Sequence, residues 1–188
     1  MRFADDRETQ IIAAAAKGDV AAMRSLYDRH IGYLTAVCSR YITDIEDVRD
    51  ILQDSMVKIL SSIRNFDYRG SGSLRAWMTR IVVNESLKHL RKDRISGAKE
   101  ATELDIPYTE TEEEDPKTDD IPASELQKMI RNLPEKYRTV FNLYIFQEYS
   151  HREISRMLDI SEGTSASCLH RAKKMLIDMI NEYRKYAR

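Results

Sequence analysis

The chain has 188 residues, of which 42% are hydrophobic and 32% charged, as in ordinary globular proteins of one domain or two small ones. No apolar run approaches the roughly 20 residues of a membrane-spanning helix, and the N-terminus lacks the apolar segment of a signal peptide. We therefore expect a cytoplasmic protein with no membrane insertion of its own. Cys38 and Cys168 lie far apart without metal-ligand spacing, which predicts packing residues or free thiols rather than a disulfide or a zinc site.

Charge is distributed unevenly along the chain. The formal net charge is −1, yet residues 96–120 hold ten acidic and two basic side chains, so the remainder carries +7. This asymmetry favours folded segments that bind a polyanion and are joined by an anionic tether. Because residues 96–121 also have few large apolar side chains, we interpret them as a mobile acidic linker between domains at 1–95 and 122–188.

Helical periodicity dominates the first half. Gly18 and Asp19 open one long helix, and a second follows Thr43 and Asp44 and ends near Asn65. The apolar positions at three- and four-residue spacing are Met23, Leu26, Leu34, Val37 and Tyr41 in the first helix and Val48, Ile51, Leu52, Val57 and Ile59 in the second. These stripes predict a helical core.

A third helix is predicted from a cap at Ser73 to Arg94, after a loop at residues 67–73 that is rich in glycine and serine. One face of this helix combines a stacking group with cations and an amide, namely Trp77, Arg80, Asn84, Lys88 and Arg91. Together with Arg69 on the loop, this face predicts phosphate contacts and stacking on an unpaired base. The alternative is a core Trp77 beside solvated charges.

A row of polar residues follows the second helix beside its apolar stripe. Its members are Asp47, Asp50, Gln53, Asp54 and Lys58. Acidic rows on helices are usually only solvated, so the pattern by itself leaves open whether this row binds a partner.

In the second half, a helical pattern resumes after Pro122, and Leu133 with Pro134 predicts another helix whose first turn holds the proline. The buried side of that helix is predicted to be Tyr137, Val140, Phe141 and Tyr144. Nowhere does the chain show sustained β alternation or an internal repeat. We therefore expect an all-α protein of two small helical domains.

Residues 150–174 have the pattern of a helix-turn-helix, a DNA-binding motif. Ser150 and Glu153 form a capping box that opens the first helix, whose buried stripe is predicted to be Ile154, Met157 and Leu158. The second helix is predicted to bury Leu169, Ala172, Leu176 and Ile180.

The opposite face of that second helix is polar and basic. The residues predicted to contact DNA from it are Thr164, Ser165, Ser167, His170, Arg171, Lys173 and Lys174, of which His170 and Lys173 flank the face and would touch phosphate. A solvated helix of an ordinary bundle is the alternative to this interpretation.

Evidence for catalysis is scarce in the sequence. It contains no glycine-rich phosphate loop and no His-Glu-x-x-His, and its four histidines are scattered. We expect no enzyme activity, no cofactor and no metal.

The chain resembles the extracytoplasmic-function sigma factors, the smallest class of bacterial RNA polymerase specificity subunits, and its sequence is similar to family members from Bacteroidetes. The matching motifs are DILQD at 50–54 followed by Lys58, LRAWMTRIVVN at 74–84, LPEKYR at 133–138, YSHREI at 149–154, ISEGT at 160–164 and LHRA at 169–172. They cover both halves of the chain in the order that the family has.

This resemblance implies a sigma-2 domain at residues 1–95 whose second helix docks on the clamp of the largest polymerase subunit, through the row from Asp47 to Lys58. It implies that the Trp77 face and the preceding loop engage and melt the minus-ten promoter element. A sigma-4 domain would read the minus-thirty-five element with its helix-turn-helix and contact the polymerase flap, and the linker would thread toward the RNA exit path. The family also implies an anti-sigma factor as a partner and a monomeric protein.

Three positions depart from the family pattern. Ala166 and Cys168 stand where many relatives carry a basic or amide residue, which predicts fewer direct base contacts. Asp159 replaces a glycine at the turn, where aspartate tolerates the left-handed conformation better than most residues.

Two other classes of function remain open on the sequence. One is a stand-alone helix-turn-helix regulator with a sensing or dimerising first half, which would bind duplex DNA alone as a dimer. The other is a helical adaptor that binds only protein. A sigma factor, in contrast, requires core polymerase.

Overall fold

The computed structural model describes residues 2–95, 118 and 120–186. Every regular element in these ranges is helical, which confirms the all-α prediction. The helices fall into two compact units that divide between residues 100 and 101. The predicted acidic linker lies outside the described residues except near its C-terminal end.

In the first unit, residues 2–95 form four α-helices and one 3₁₀ turn. They are α1 (Arg2–Ala16), α2 (Val20–Cys38), α3 (Ile45–Ser62), the turn Ile63–Asn65 and α4 (Ser73–Ile95). Asp19 and Asp44 cap α2 and α3, because their carboxylates accept backbone N–H groups of Ala22 and of Glu46, respectively. The starts predicted for the two long helices are therefore confirmed.

The core of the first unit forms where α2, α3 and α4 pack together. Leu26, Leu34 and Val37 of α2 are buried, as predicted. Val57 was expected in the stripe of α3, but this prediction is wrong, since its side chain is 64% exposed. At about 100° per residue Val57 points away from Ile59, and only the latter faces the core.

The loop before α4 depends on two glycines. Gly70 and Gly72 have φ angles of +104° and +85°, which residues with a side chain rarely adopt. Ser73 was predicted to cap α4, but its Oγ instead accepts a hydrogen bond from the backbone N–H of Arg69, at 3.2 Å. Ser73 therefore fastens the loop to the start of α4.

The described residues of the second unit form four helices. They are α5 (Ala123–Asn132), α6 (Glu135–Ile145), α7 (His151–Leu158) and α8 (Glu162–Tyr186). Ile121 is already buried and both carboxylate oxygens of Asp120 accept hydrogen bonds from Arg184, at 2.7 and 2.8 Å. The packed part of this unit thus begins slightly before the predicted boundary at residue 122.

The central helix of the second unit is α6, in which all seven residues from Tyr137 to Leu143 are buried. Tyr144 was expected on its buried side, but that prediction is wrong, because the ring is 38% exposed beside His151. Pro134 is the N-cap rather than the first helical residue. Arg138 is buried and donates through Nη1 to the carbonyl oxygens of Arg131 and Leu133, which satisfies acceptors at the C-terminus of α5.

The turn between α7 and α8 has the predicted chemistry. The capping box of Ser150 and Glu153 is present, and Ile154 is fully buried, whereas Met157 and Leu158 are half-buried. Asp159 ends α7 in the left-handed conformation, with φ 55° and ψ 52°. This confirms that aspartate takes the place of the glycine at this turn.

His30 gives the first unit a sensitivity to acid. The imidazole is buried and its Nε2 has no hydrogen-bond partner, while burial, Arg75 and Arg29 lower its pKa below the ordinary 6.5. The unfolded chain therefore takes up a proton first as pH falls. The contribution of neutral His30 to the free energy of unfolding is therefore complete above pH 6.5. It is lost as pH falls from 6.5 toward the lower pKa of the folded state.

We expect His30→Leu to reduce the fall in unfolding free energy between neutral and mildly acidic pH, by at most about 1.4 kcal/mol per pH unit. Urea unfolding followed by the fluorescence of Trp77, the single tryptophan, reports on this unit alone. His170→Gln, in the second unit, is the control. An unchanged pH slope in His30→Leu would contradict the prediction.

Candidate DNA and polymerase interfaces

A basic face runs along α4, opposite its buried side. Arg80, Asn84, Lys88 and Arg91 are exposed, while Leu74, Met78, Val82 and Leu87 of the same helix are buried. Successive members of the basic face are three or four residues apart, so their side chains lie along one line. The structure thus brings together the residues that the sequence predicted for this face.

Trp77 lies at the N-terminal end of the basic face and is half-buried. Its ring packs against Phe66, with centroids 5.0 Å apart and the planes tilted by 40°. The indole is therefore packed against Phe66 in part and accessible to solvent in part, so neither of the two alternatives that the sequence left open is excluded.

Arg69 is exposed on the loop that precedes α4. Its Nε donates to the Oδ2 of Asp67 at 3.0 Å, so the carboxylate holds the guanidinium beside the loop backbone. An exposed pair of this kind is weak and can exchange for a phosphate.

The acidic row on α3 separates into two groups in the structure. Asp50, Gln53 and Asp54 are exposed. Asp47 and Lys58, at the two ends of the row, instead face α4: the Oδ2 of Asp47 lies 3.4 Å from His89 Nε2, and Lys58 Nζ lies 2.5 Å from Glu85 Oε1. The sequence offered no signal for these pairs because they join different helices.

An open groove runs along the surface where α3 and α4 meet. It is lined by Asp54 on the α3 side and by Asn84, Glu85, Lys88 and Arg91 on the α4 side. The acidic row and the basic face therefore border the same groove.

On α8 the polar face is present, but most of its predicted members are less exposed than a face that points straight to solvent. Lys174 is exposed, while Thr164, Ser167, His170, Arg171 and Lys173 are half-buried. Arg171 lies on the flank next to α6, where its Nη1 donates to the hydroxyl of Tyr137 at 2.8 Å. The guanidinium is thus held at a defined position by a buried tyrosine.

Ser165 is a correction to the predicted DNA contacts. Its side chain is fully buried, and its Oγ forms a 2.9 Å hydrogen bond with Nδ1 of His151 on α7. Burial lowers the pKa of His151, against an opposing effect of Glu162. Ser165 lies between the helices because it shares the face of Leu169 and Ala172, so it links α7 to α8 and cannot reach DNA.

Cys168 is also buried, on the core side of α8. Both cysteines are therefore free thiols that pack in the interior, which agrees with the prediction. Cys168 therefore belongs to the core of the helix-turn-helix and not to its polar face, whereas Ala166 is half-buried.

An apolar surface at the end of α6 was missed by the sequence reasoning. Tyr144, Ile145 and Phe146 are consecutive and each is about 40% exposed. Three consecutive large apolar residues after a buried helix are the only signal that could have indicated it, since no single helical face can bury all three.

Within the described ranges, no group of three or more His, Cys, Asp or Glu side chains could hold a metal ion. The helices of the described segments also include none that is long and apolar enough to cross a membrane.

Comparison with known protein families matches both units. Residues 26–95 match the model of sigma-70 region 2, and residues 123–176 match that of sigma-70 region 4. Together the two matches span more than half of the chain, and they contain the basic face of α4 and the helix-turn-helix.

Curated relatives match over nearly their whole lengths. The ECF RNA polymerase sigma-E factor of Haemophilus influenzae is 27% identical over 90% of this chain and 93% of its own. The ECF RNA polymerase sigma factor SigW of Bacillus subtilis is 27% identical over 88% and 92%, and SigM of Mycobacterium tuberculosis 29% over 92% and 84%.

Among solved structures, the chain is similar to the sigma factor RpoE of Bartonella quintana, determined in complex with the anti-sigma factor NepR. The TM-score is 0.50 at 17% identity, over 86% of this chain and 98% of the other, which supports the fold alone.

Two helical units with these matches define a specificity subunit of bacterial RNA polymerase. The chain belongs to the extracytoplasmic-function (ECF) sigma factors. It binds core RNA polymerase and directs promoter recognition and transcription initiation.

The buried link between α7 and α8 yields a prediction. Ser165→Ala leaves Nδ1 of His151 without its partner, so we expect the second unit to lose about 1 kcal/mol of stability. Ser167→Ala is the matched control, since that hydroxyl only donates to the Thr164 carbonyl oxygen of its own helix. Urea unfolding followed by circular dichroism measures both, and equal stability of the two variants would contradict the role of Ser165.

Proposed function

We propose that this ECF sigma factor uses three separate surfaces. Asp50, Gln53 and Asp54 on α3 bind the clamp of the largest polymerase subunit, the Trp77 face of α4 binds the minus-ten element, and the polar face of α8 binds the minus-thirty-five element. The observation that carries the proposal is that α4 exposes one line of cations beside a half-buried tryptophan that packs against Phe66.

At the minus-ten element, the two kinds of side chain on α4 have different tasks. Arg80, Lys88 and Arg91 attract the phosphates of the strand, and this attraction is independent of sequence. Trp77 stacks the accessible part of its ring on a base that has left the duplex, which stabilises the melted strand against the loss of base stacking. Arg69, on the adjacent loop, exchanges Asp67 for a phosphate.

At the minus-thirty-five element, α8 enters the major groove. Thr164, Ser167, Arg171 and Lys174 approach base edges, while His170 and Lys173 approach phosphates. The hydrogen bond that Arg171 donates to the Tyr137 hydroxyl supports this proposal, because a guanidinium held in one orientation loses less entropy on binding.

The second polymerase contact is assigned to the exposed apolar residues Tyr144, Ile145 and Phe146, for which the flap is the proposed partner. Core polymerase would thereby hold both units on one promoter. Each DNA site is weak alone, and tethering makes the second contact intramolecular, so binding requires the correct spacing of the two elements. Residues 96–117, with their excess of negative charge, are proposed to occupy the path of the RNA until transcript displaces them.

Several further properties belong to the same proposal. The protein acts in the cytoplasm, where its polymerase is, as a monomer without catalytic activity or cofactor. An anti-sigma factor that covers its DNA-facing surfaces is proposed as a regulatory partner, and this is supported by the complex in which the similar RpoE of Bartonella quintana was determined.

Run-off transcription with core polymerase on a pool of genomic promoter fragments tests the proposed function. Transcripts that appear only when the protein is added, with two shared upstream elements, are the expected result. A protein that shifts duplex fragments by itself and adds no transcripts would instead be a stand-alone regulator.

For the minus-thirty-five element, we expect Arg171→Ala to reduce promoter affinity of the holoenzyme by about tenfold. The loss should disappear on templates without that element. Lys128→Ala is the matched control, since it removes an exposed cation of the same unit that lies on α5, outside this face. Unchanged promoter use by Arg171→Ala would refute the assignment of this face.

For polymerase binding, we expect Asp50→Ala combined with Gln53→Ala to weaken core affinity by about tenfold or more and to leave the fold intact, because both side chains are exposed. Fluorescence anisotropy of the labelled protein with core polymerase measures the affinity, and thermal unfolding verifies the fold. Asp28→Ala, on the exposed part of α2, is the control. An unaltered core affinity would rule out docking through this row.

A further inference from the structure

We propose that Lys58, which sequence reasoning assigned to polymerase docking, serves the DNA-binding face of α4 by neutralising Glu85. The inference rests on the proposed assignment of that face to the minus-ten element. It makes Lys58 a positioning residue that acts on DNA through another side chain.

The contact between the two side chains is direct and crosses from one helix to another. Lys58 Nζ lies 2.5 Å from Glu85 Oε1, and the carboxylate side chain is only 15% exposed, whereas that of the lysine is 48% exposed. A carboxylate that is largely withdrawn from water needs a partner for its charge. Lys58 provides it from α3.

The position of Glu85 places its negative charge next to the face that is proposed to bind DNA. It is the only acidic residue between Ser73 and Lys92, the part of α4 that carries the basic face. It follows Asn84 directly, and it lines the groove that Asn84, Lys88 and Arg91 also line. A strand that contacts this face therefore passes close to the Glu85 carboxylate.

The sign and size of the effect follow from electrostatics. Two like charges several ångströms apart in water repel by about 1 kcal/mol, which corresponds to about fivefold in affinity. With Lys58 in contact, Glu85 and Lys58 together carry no net charge toward the phosphate. Without Lys58, the carboxylate repels the strand that Lys88 and Arg91 attract.

Lys58 also differs from its neighbours in the acidic row. Asp50 and Gln53 are exposed, and Asp54 borders the groove, whereas Lys58 is ion-paired with α4 and lines a second depression together with Ile81 and Asn84. Its pairing therefore separates it from the docking residues and joins it to the basic face.

The test compares Lys58→Ala, Glu85→Gln and the double variant as holoenzymes. The probe is a forked DNA with a single-stranded minus-ten segment, taken from a promoter found by run-off transcription. We expect Lys58→Ala to bind about fivefold more weakly, Glu85→Gln to bind as well as or better than the parent, and the double variant to recover the lost affinity. Core affinity should be equal in all of them.

Other outcomes would overturn the inference. A double variant as weak as Lys58→Ala would mean that Lys58 contacts phosphate itself, and reduced core affinity in Lys58→Ala would restore the docking role. A structural brace predicts instead that Glu85→Gln also weakens binding and lowers the unfolding temperature. Lys88→Ala isolates the proposed function: if that variant binds the probe normally, the assignment of α4 fails, and the inference fails with it.

Discussion

The packing of α4 against α2 and α3 is the contact on which the first unit depends. Leu74, Met78, Val82 and Leu87 are buried on one side of α4, so its cations are held on the other side in one line. A cationic helix without this buried stripe would have no fixed orientation, because exposed charges give little packing energy. The direction of the basic face is therefore a consequence of the core.

In the second unit, the buried helix that fixes the orientation of a polar face is α6. Every residue from Tyr137 to Leu143 is buried, and α7 and α8 both pack on this helix. Arg171 of α8 is held by Tyr137 of α6, and Ser165 of α8 by His151 of α7, so the polar face of α8 is fixed through two hydrogen bonds to different helices. The sequence pattern places Arg171 and Ser165 on the surface that contacts DNA, and it does not predict that either is bonded to another helix.

Charge pairs between α3 and α4 determine which side chains at the groove of the first unit remain exposed. The pairs Asp47–His89 and Lys58–Glu85 connect the helix assigned to polymerase with the helix assigned to DNA. Helical periodicity predicts which residues share a face of one helix, but it cannot predict which neighbour a face meets. The acidic row was therefore foreseen as a unit, and its division into exposed residues and residues turned toward α4 was not.

The sequence by itself determined the helices after residue 18, the caps at Asp19, Asp44 and Ser150, the left-handed Asp159, the line from Trp77 to Arg91 and the family. All of these depend on local spacing and residue chemistry. Tertiary structure alone decided that Val57 and Tyr144 are exposed, that Ser165 is buried and that Lys58 pairs with Glu85. Burial and pairing depend on which helices meet. That is set by the packing of the whole unit and not by the order of residues within one helix.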